Sequence, residues 1–313
     1  EYESAEQSVL EFVGTALATA AGLVMPAGPV LRGLFPTPPA PDEALRPLAR
    51  AFGVLPGSGS AVELREIQVG GPPAPSLGGD ATGAGGLLAG VDALYPASGG
   101  VAGSLEVRGY TRPDGARSWA VLIPGTQSLG AWGASPMDTA TNVQEYVGAP
   151  SAMGAAVVAA LGRAGVRRAE PVLLAGHSQG GLVAMRLAAD PAFRRRYDVR
   201  SVLTAGSPTG RVPTPQGVSV LHLEHGSDVV PVLDAAENPD VPERTTVRHP
   251  GAGAPGGPGS GEEGPHDATS YARTAALVDA SNHPSVVEWR RSCASVVDPD
   301  ASLTRRVYVA ERL

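Results

Sequence analysis

The stretch Val172-Leu-Leu-Ala-Gly176-His177-Ser178-Gln179-Gly180-Gly181 limits the folds open to this chain more than any other. An apolar run enters G-x-S-x-G directly, and a helical pattern follows to Ala189 before Asp190-Pro191 stops it. A strand that turns this abruptly into a helix needs glycine on both sides of the turn, because a Cβ there would clash as the two elements approach. Such a turn belongs at the carboxyl edge of a parallel sheet. There the serine hydroxyl stands clear of the backbone, and the helix N-terminus beneath it offers N–H groups and a positive dipole end. The pattern around it agrees. Leu105–Thr111 and Ser118–Ile123 read as paired strands, followed by helix Ser151–Ala164, strand Pro171–Ala175, helix Gln179–Ala189 and strands Ser201–Ala205 and Gly217–Glu224. Helices Tyr271–Asp279 and Pro284–Ser292 then close the chain, with Thr304–Ala310 expected as an edge strand. Alternation of this kind predicts an α/β fold with a mostly parallel central sheet and helices on both faces.

The first hundred residues read differently. Ser4 to Gln7 has capping-box spacing, and Val9, Phe12, Val13, Leu17, Ala20 and Val24 recur at helical intervals, so an amphipathic helix is expected over residues 5–25. Glu6, Glu11, Pro26 and Pro29 argue against a membrane span, which needs about 20 apolar residues. The helix is expected to pack on the domain; contact with a membrane surface, a lid role and partner docking are the alternatives. Residues 36–60 read as a linker with one short helix, Glu43–Phe52, which divides the chain into an N-terminal extension, 1–60, and a main domain, 61–313. Val62–Val69 reads as a strand, the Gly-rich segment 70–90 as a long loop, and residues 250–265 as a low-complexity flexible loop. The chain opens on Glu1 rather than Met, as expected of a sequence trimmed upstream, and no signal peptide is legible in it. A secreted or cell-envelope location is favoured over a cytoplasmic one.

Composition removes several chemistries. The sequence has no lysine, so its 24 basic residues are all arginine. Arginine stays protonated and forms no Schiff base, which excludes pyridoxal-phosphate enzymes, and P-loop NTPases lose their lysine. The single cysteine, Cys293, can form neither an internal disulfide nor a multi-cysteine metal site, and reads as a small buried hydrophobe. A net charge of −7 argues against nucleic acid as a partner. No His/Asp cluster has metal-ligand spacing, so a metal enzyme is not expected.

Ser178 is the expected nucleophile, and a serine is inert without a base that a carboxylate orients. Asp228, in Leu221-His-Leu-Glu-His-Gly-Ser-Asp228-Val-Val-Pro231, falls in the turn after a strand and is the expected acid; Asp234 and Asp240 are its rivals. His266 leaves the 250–265 loop just before a helix and lies after the acid, in the order Ser…Asp…His, so it is the expected base. His283 and His249 are the alternatives, while His222 and His225 come too early in the chain. His177 is read as structural, pointing away from the site. The backbone N–H of Gln179 would supply one oxyanion donor. Thr126, in Ile123-Pro-Gly125-Thr126-Gln127, would supply the second, with Gln127 next in line.

Taken together, Pro-Gly125-Thr126, Gly176-His-Ser178-Gln-Gly180-Gly, Thr204-Ala-Gly-Ser-Pro208, His-Gly-Ser-Asp228-Val-Val-Pro231 and His266 with Tyr271 resemble the α/β-hydrolases, and within them the lipases of the fungal, class 3 type. The likeness covers roughly residues 100–280, and its Ser–Asp interval of 50 and Asp–His interval of 38 suit that family. The arginine-only, Gly/Pro/Ala-rich composition is similar to that of actinobacterial proteins. The resemblance implies the α/β-hydrolase fold and a serine esterase or lipase that forms an acyl-enzyme on a small-molecule or lipid ester, requiring neither metal nor organic cofactor. A thioesterase or acyltransferase would use the same residues, and a non-catalytic binding module would keep the fold alone.

Overall fold

The computed structural model describes residues 46, 49, 61–68, 82–130, 132–250 and 264–313. The expected helix 5–25, nearly all of the linker 36–60 and most of the loop 250–265 lie outside the described residues. Within them the fold is mixed α/β, built on an eight-stranded, mostly parallel sheet: β1 (Val62–Ile67), β2 (Ser104–Thr111), β3 (Arg117–Ile123), β4 (Pro171–His177), β5 (Asp198–Ala205), β6 (Ser219–His225), β7 (Arg244–His249) and β8 (Ser302–Arg312). The strand order is β1-β8-β2-β3-β4-β5-β6-β7. Strands β3 to β7 run parallel, and β1, β8 and β2 join through antiparallel pairings.

Alternate residues of the central strands face opposite ways, as the two-residue period of a strand demands. Trp119, Val121 and Ile123 of β3 and Val172 and Leu174 of β4 enter one core with helices α3 (Ala152–Ala164) and α4 (Gln179–Ala189). Ala120, Leu122, Leu173 and Ala175 enter the other, beneath α1 (Ala84–Asp92), α6 (Ala268–Asp279) and α7 (Pro284–Ala294). Both faces of the sheet are thereby covered, which is why its middle strands are apolar on both sides. Cys293 is buried in the second core, as its neighbours in the sequence suggest. Two further short helices lie among the described residues: α2 (Thr139–Tyr146), whose first turn is capped by the Asp138 carboxylate, and α5 (Pro191–Arg196).

Two expectations are corrected. The segment expected to be loop through residue 90 contains α1. It has no local side-chain cap, and its first N–H groups, of Ala84 and Gly85, donate instead to the Asp279 carboxylate at the end of α6, at 2.9 and 2.8 Å. A cap supplied from 195 residues away leaves no signature at the helix itself. Strand β8 is also not an edge: it lies between β1 and β2. Its polar look comes from Arg305, which meets the buried carboxylate of Glu106 on β2 at 2.6 and 3.0 Å, while Arg108 meets the same carboxylate at 2.9 Å. A buried carboxylate held by two guanidiniums is satisfied only with both strands in place.

The turn between β4 and α4 is closely packed. A Cβ on Gly180 would stand within the carbonyl oxygens of Ile123 and Pro124. Gly180→Ala must therefore push β3 and α4 apart, an overpacking cost of roughly 1–3 kcal/mol. The expected result is a lower urea midpoint with an unchanged slope; an unaltered midpoint would show that the turn can relax.

Candidate active site

Ser178 sits between β4 and α4 at φ +55° and ψ −124°, a backbone region that L-residues rarely adopt. The conformation is held by neighbours: Ser178 N–H donates to Ala205 O of β5 at 2.8 Å, while α4 begins at the next residue. It leaves the hydroxyl partly exposed at the carboxyl ends of the parallel strands, where open α/β sheets place their ligands.

The loop that follows β6 brings Asp228, and the entry to α6 brings His266. His266 Nε2 lies 2.9 Å from Ser178 Oγ, and His266 Nδ1 lies 2.7 Å from Asp228 Oδ2. Three residues separated by 50 and 38 positions thus form one continuous hydrogen-bonded line. Asp228 is buried, whereas the His266 side chain is 34% exposed, so the line opens to solvent at the end away from the carboxylate. Tyr271, on α6, donates its hydroxyl to the same Asp228 oxygen at 2.7 Å, and Val230 N–H donates to the other at 2.9 Å. Burial alone would raise the Asp228 carboxyl. The bond from His266, its nearby charge and the donors Val230 and Tyr271 outweigh that, and hold the group below the usual carboxylate range. Burial and the same carboxylate push the Tyr271 phenol far up, so it remains a donor.

The rival residues are occupied elsewhere. Asp234 accepts from Arg211 N–H and Ala236 N–H, and Asp240 is exposed. His283 starts α7 and bonds Ser285. His249 ends β7 beside His225. His222 is buried between Thr204 and Arg244.

Turn 124–127, after β3, packs directly against the serine: a Cβ on Gly125 would lie 2.6 Å from Ser178 Cβ. The N–H of Gln127 donates to Met137 O at 2.8 Å, so that alternative donor is spent. The backbone N–H groups of Thr126 and Gln179 have no acceptor among the described residues. Asn142 of α2 ties the two side chains together, accepting from Gln179 Nε2 at 2.8 Å and donating to Thr126 Oγ1 at 2.9 Å. Two unspent backbone donors therefore lie beside Ser178, on residues whose side chains share one amide.

Three contributors were not legible as site residues. Gly206, at φ +60°, lies against the Asp228–His266 pair, where a Cβ would be 3.0 Å from Asp228 Oδ2 and 3.1 Å from His266 Nδ1. In the sequence it stands inside Thr204-Ala-Gly-Ser-Pro208, directly after β5, with no role assigned to it. Tyr95, before a short 3-10 turn, bonds both Gly125 N–H and His177, and nothing in its own neighbourhood marks it. The third, His177, does not point away as expected: its ring packs 4.8 Å from that of His266, and its Nε2 lies 2.9 Å from the His266 carbonyl. Among the described residues, no group of three or more His, Cys, Asp or Glu side chains is arranged to hold a metal ion. No helix among them is long and apolar enough to cross a membrane.

The depressed Asp228 carboxyl has a consequence for stability. An aspartate that keeps its charge to lower pH in the folded state contributes stability above its unfolded value, about pH 4, and loses it as pH falls through the folded value. Between about pH 4 and pH 2.5 the thermal midpoint of the wild type is expected to fall more steeply than that of Asp228→Asn. Parallel curves would mean that this carboxyl is not depressed. Compared with protein-family models, with curated proteins and with solved structures, the chain matched none.

Proposed function

We propose that this protein is a serine hydrolase of the α/β-hydrolase fold, cleaving carboxylic esters through an acyl-enzyme on Ser178. The observation that carries the reading is the line Ser178 Oγ–His266 Nε2 at 2.9 Å and His266 Nδ1–Asp228 Oδ2 at 2.7 Å, on a strained turn with two unspent backbone donors beside it. A structural serine needs neither the strain nor the base. The chain order Ser178, Asp228, His266 and the position of each at the carboxyl edge of the sheet support the same fold type.

In the proposed reaction the Ser178 Oγ–carbon bond forms as His266 Nε2 takes the hydroxyl proton. Asp228 holds the Nδ1–H tautomer and stabilises the imidazolium. The carbonyl pair moves to oxygen, where the N–H groups of Thr126 and Gln179 meet it, each worth roughly 3–4 kcal/mol of barrier. Collapse breaks the ester C–O bond, and the leaving alkoxide takes the proton from His266. Water then repeats the sequence on the acyl-enzyme and releases the acid. Leu129, just past the oxyanion turn, is 76% exposed, and Val229 and Val232, just past Asp228, are 69% and 57% exposed. Large apolar side chains left in water beside the site support a substrate with an apolar acyl group.

The test is hydrolysis of p-nitrophenyl esters from C2 to C16 by wild type, Ser178→Ala, Asp228→Ala and His266→Ala. Each variant is expected to lose activity by a factor on the order of a thousand or more. Labelling of the wild type by a fluorophosphonate should disappear in Ser178→Ala. Labelling without ester hydrolysis would favour a thioesterase or acyltransferase; neither labelling nor hydrolysis would leave a binding module.

A further inference from the structure

We infer that His177 and His225 are positioning residues that hold the base, two neutral imidazoles whose N–H groups carry the carbonyls of His266 and Pro265. The inference rests on the hydrolase reading of Ser178, Asp228 and His266. His266 stands just before α6 and belongs to no helix or strand, so its position depends on contacts outside the regular backbone bonding. The anchors are specific. His225 Nδ1 lies 2.8 Å from Pro265 O, and His177 Nε2 lies 2.9 Å from His266 O.

A carbonyl only accepts, so both of those nitrogens carry hydrogen. The other nitrogen of each ring meets a hydroxyl: Thr274 Oγ1 at 2.9 Å from His225 Nε2, and Tyr95 OH at 2.6 Å from His177 Nδ1. The Tyr95 oxygen already accepts from Gly125 N–H at 2.5 Å, so its own proton goes to His177. His177 is thereby fixed as the Nε2–H tautomer and His225 as the Nδ1–H tautomer. Burial disfavours charge on both, pushing His177 down to about 3 and lowering His225 as well.

The placement follows from the strands. His177 ends β4 and is adjacent to the nucleophile; His225 ends β6, three residues before the acid. The strands that deliver Ser178 and Asp228 each finish in a histidine that grips the backbone of the base. His225 also lies flat on Tyr271, with ring centroids 3.8 Å apart, and the Tyr271 hydroxyl reaches Asp228. Through Tyr95, the His177 bond extends to Gly125, so the base segment and the oxyanion turn share one hydrogen-bonded chain.

Amide side chains test this, because glutamine Nε2 reaches about as far as histidine Nε2, and asparagine Nδ2 about as far as histidine Nδ1. His177→Gln and His225→Asn keep a donor at the right reach; His177→Asn and His225→Gln misplace it. The misplaced pair is expected to lose about 100-fold in ester kcat with KM changed less than about twofold, and the matched pair to recover to within about tenfold of wild type. Thermal midpoints separate this from a loss of fold.

Histidine NMR supplies a readout that needs no turnover. His177 should be protonated at Nε2 alone and His225 at Nδ1 alone. The low-field proton between His266 Nδ1 and Asp228 should persist in the matched variants and vanish in the misplaced ones. The opposite tautomers, or the same kcat and the same low-field proton in matched and misplaced amides, would overturn the positioning role. An inactive wild type would overturn the hydrolase reading alone, and the tautomers and the low-field proton would still decide the clamp.

Discussion

A serine backbone at φ +55° and ψ −124° costs on the order of 1–3 kcal/mol and persists only where its surroundings leave it no alternative. At Ser178 they do. Strand β4 arrives paired on both sides, by β3 and β5, helix α4 departs at once, and Gly180 lets the helix close on Ile123 O and Pro124 O without a Cβ between. The backbone at Ser178 is set by packing rather than by its own φ/ψ preference. Everything else in the site is placed against it: the turn at Gly125 packs close to its Cβ, His266 bonds its hydroxyl, and α4 begins at the next residue.

The electrostatics of the site follow from burial. Asp228 is the one carboxylate in the line, and three donors hold it charged where burial alone would neutralise it. The histidines around it are treated in the opposite way. His177 and His225 are buried and kept neutral, so neither sets a second positive charge beside His266 when the proposed chemistry protonates it. One charged carboxylate, one partly exposed imidazole and two buried neutral ones make an arrangement in which only His266 is both open to solvent and bonded to the serine.

Much of this was legible in the linear sequence. Helix α4 begins and ends as its glycines and Asp190-Pro191 indicate, and Ser178, Asp228 and His266 are the residues that meet. These signals are local: a strand period, a breaker, a chain order. What was not legible depends on partners far away. Helix α1 is capped by Asp279, β8 is drawn between β1 and β2 in register with Glu106, and Tyr95 acquires its role only when α1 lays it against Gly125. Gly206 and His177 were visible as residue types, but a glycine after a strand and a histidine before a serine each have many uses, and only the fold selects one.

The sequence by itself determined the alternation that makes an α/β sheet, the strained turn at Ser178, and the chemical identity of the acid and base candidates. Those follow from short-range sterics and hydrophobic period, which act within about ten residues. The tertiary structure decided that Ser178, His266 and Asp228 lie in one line, that Thr126 rather than Gln127 keeps its N–H unspent, and that His177 faces the base. Each of those is a hydrogen bond between groups that sequence separates by anything from ten to nearly ninety residues. Such a bond exists only once the sheet has fixed where every strand ends.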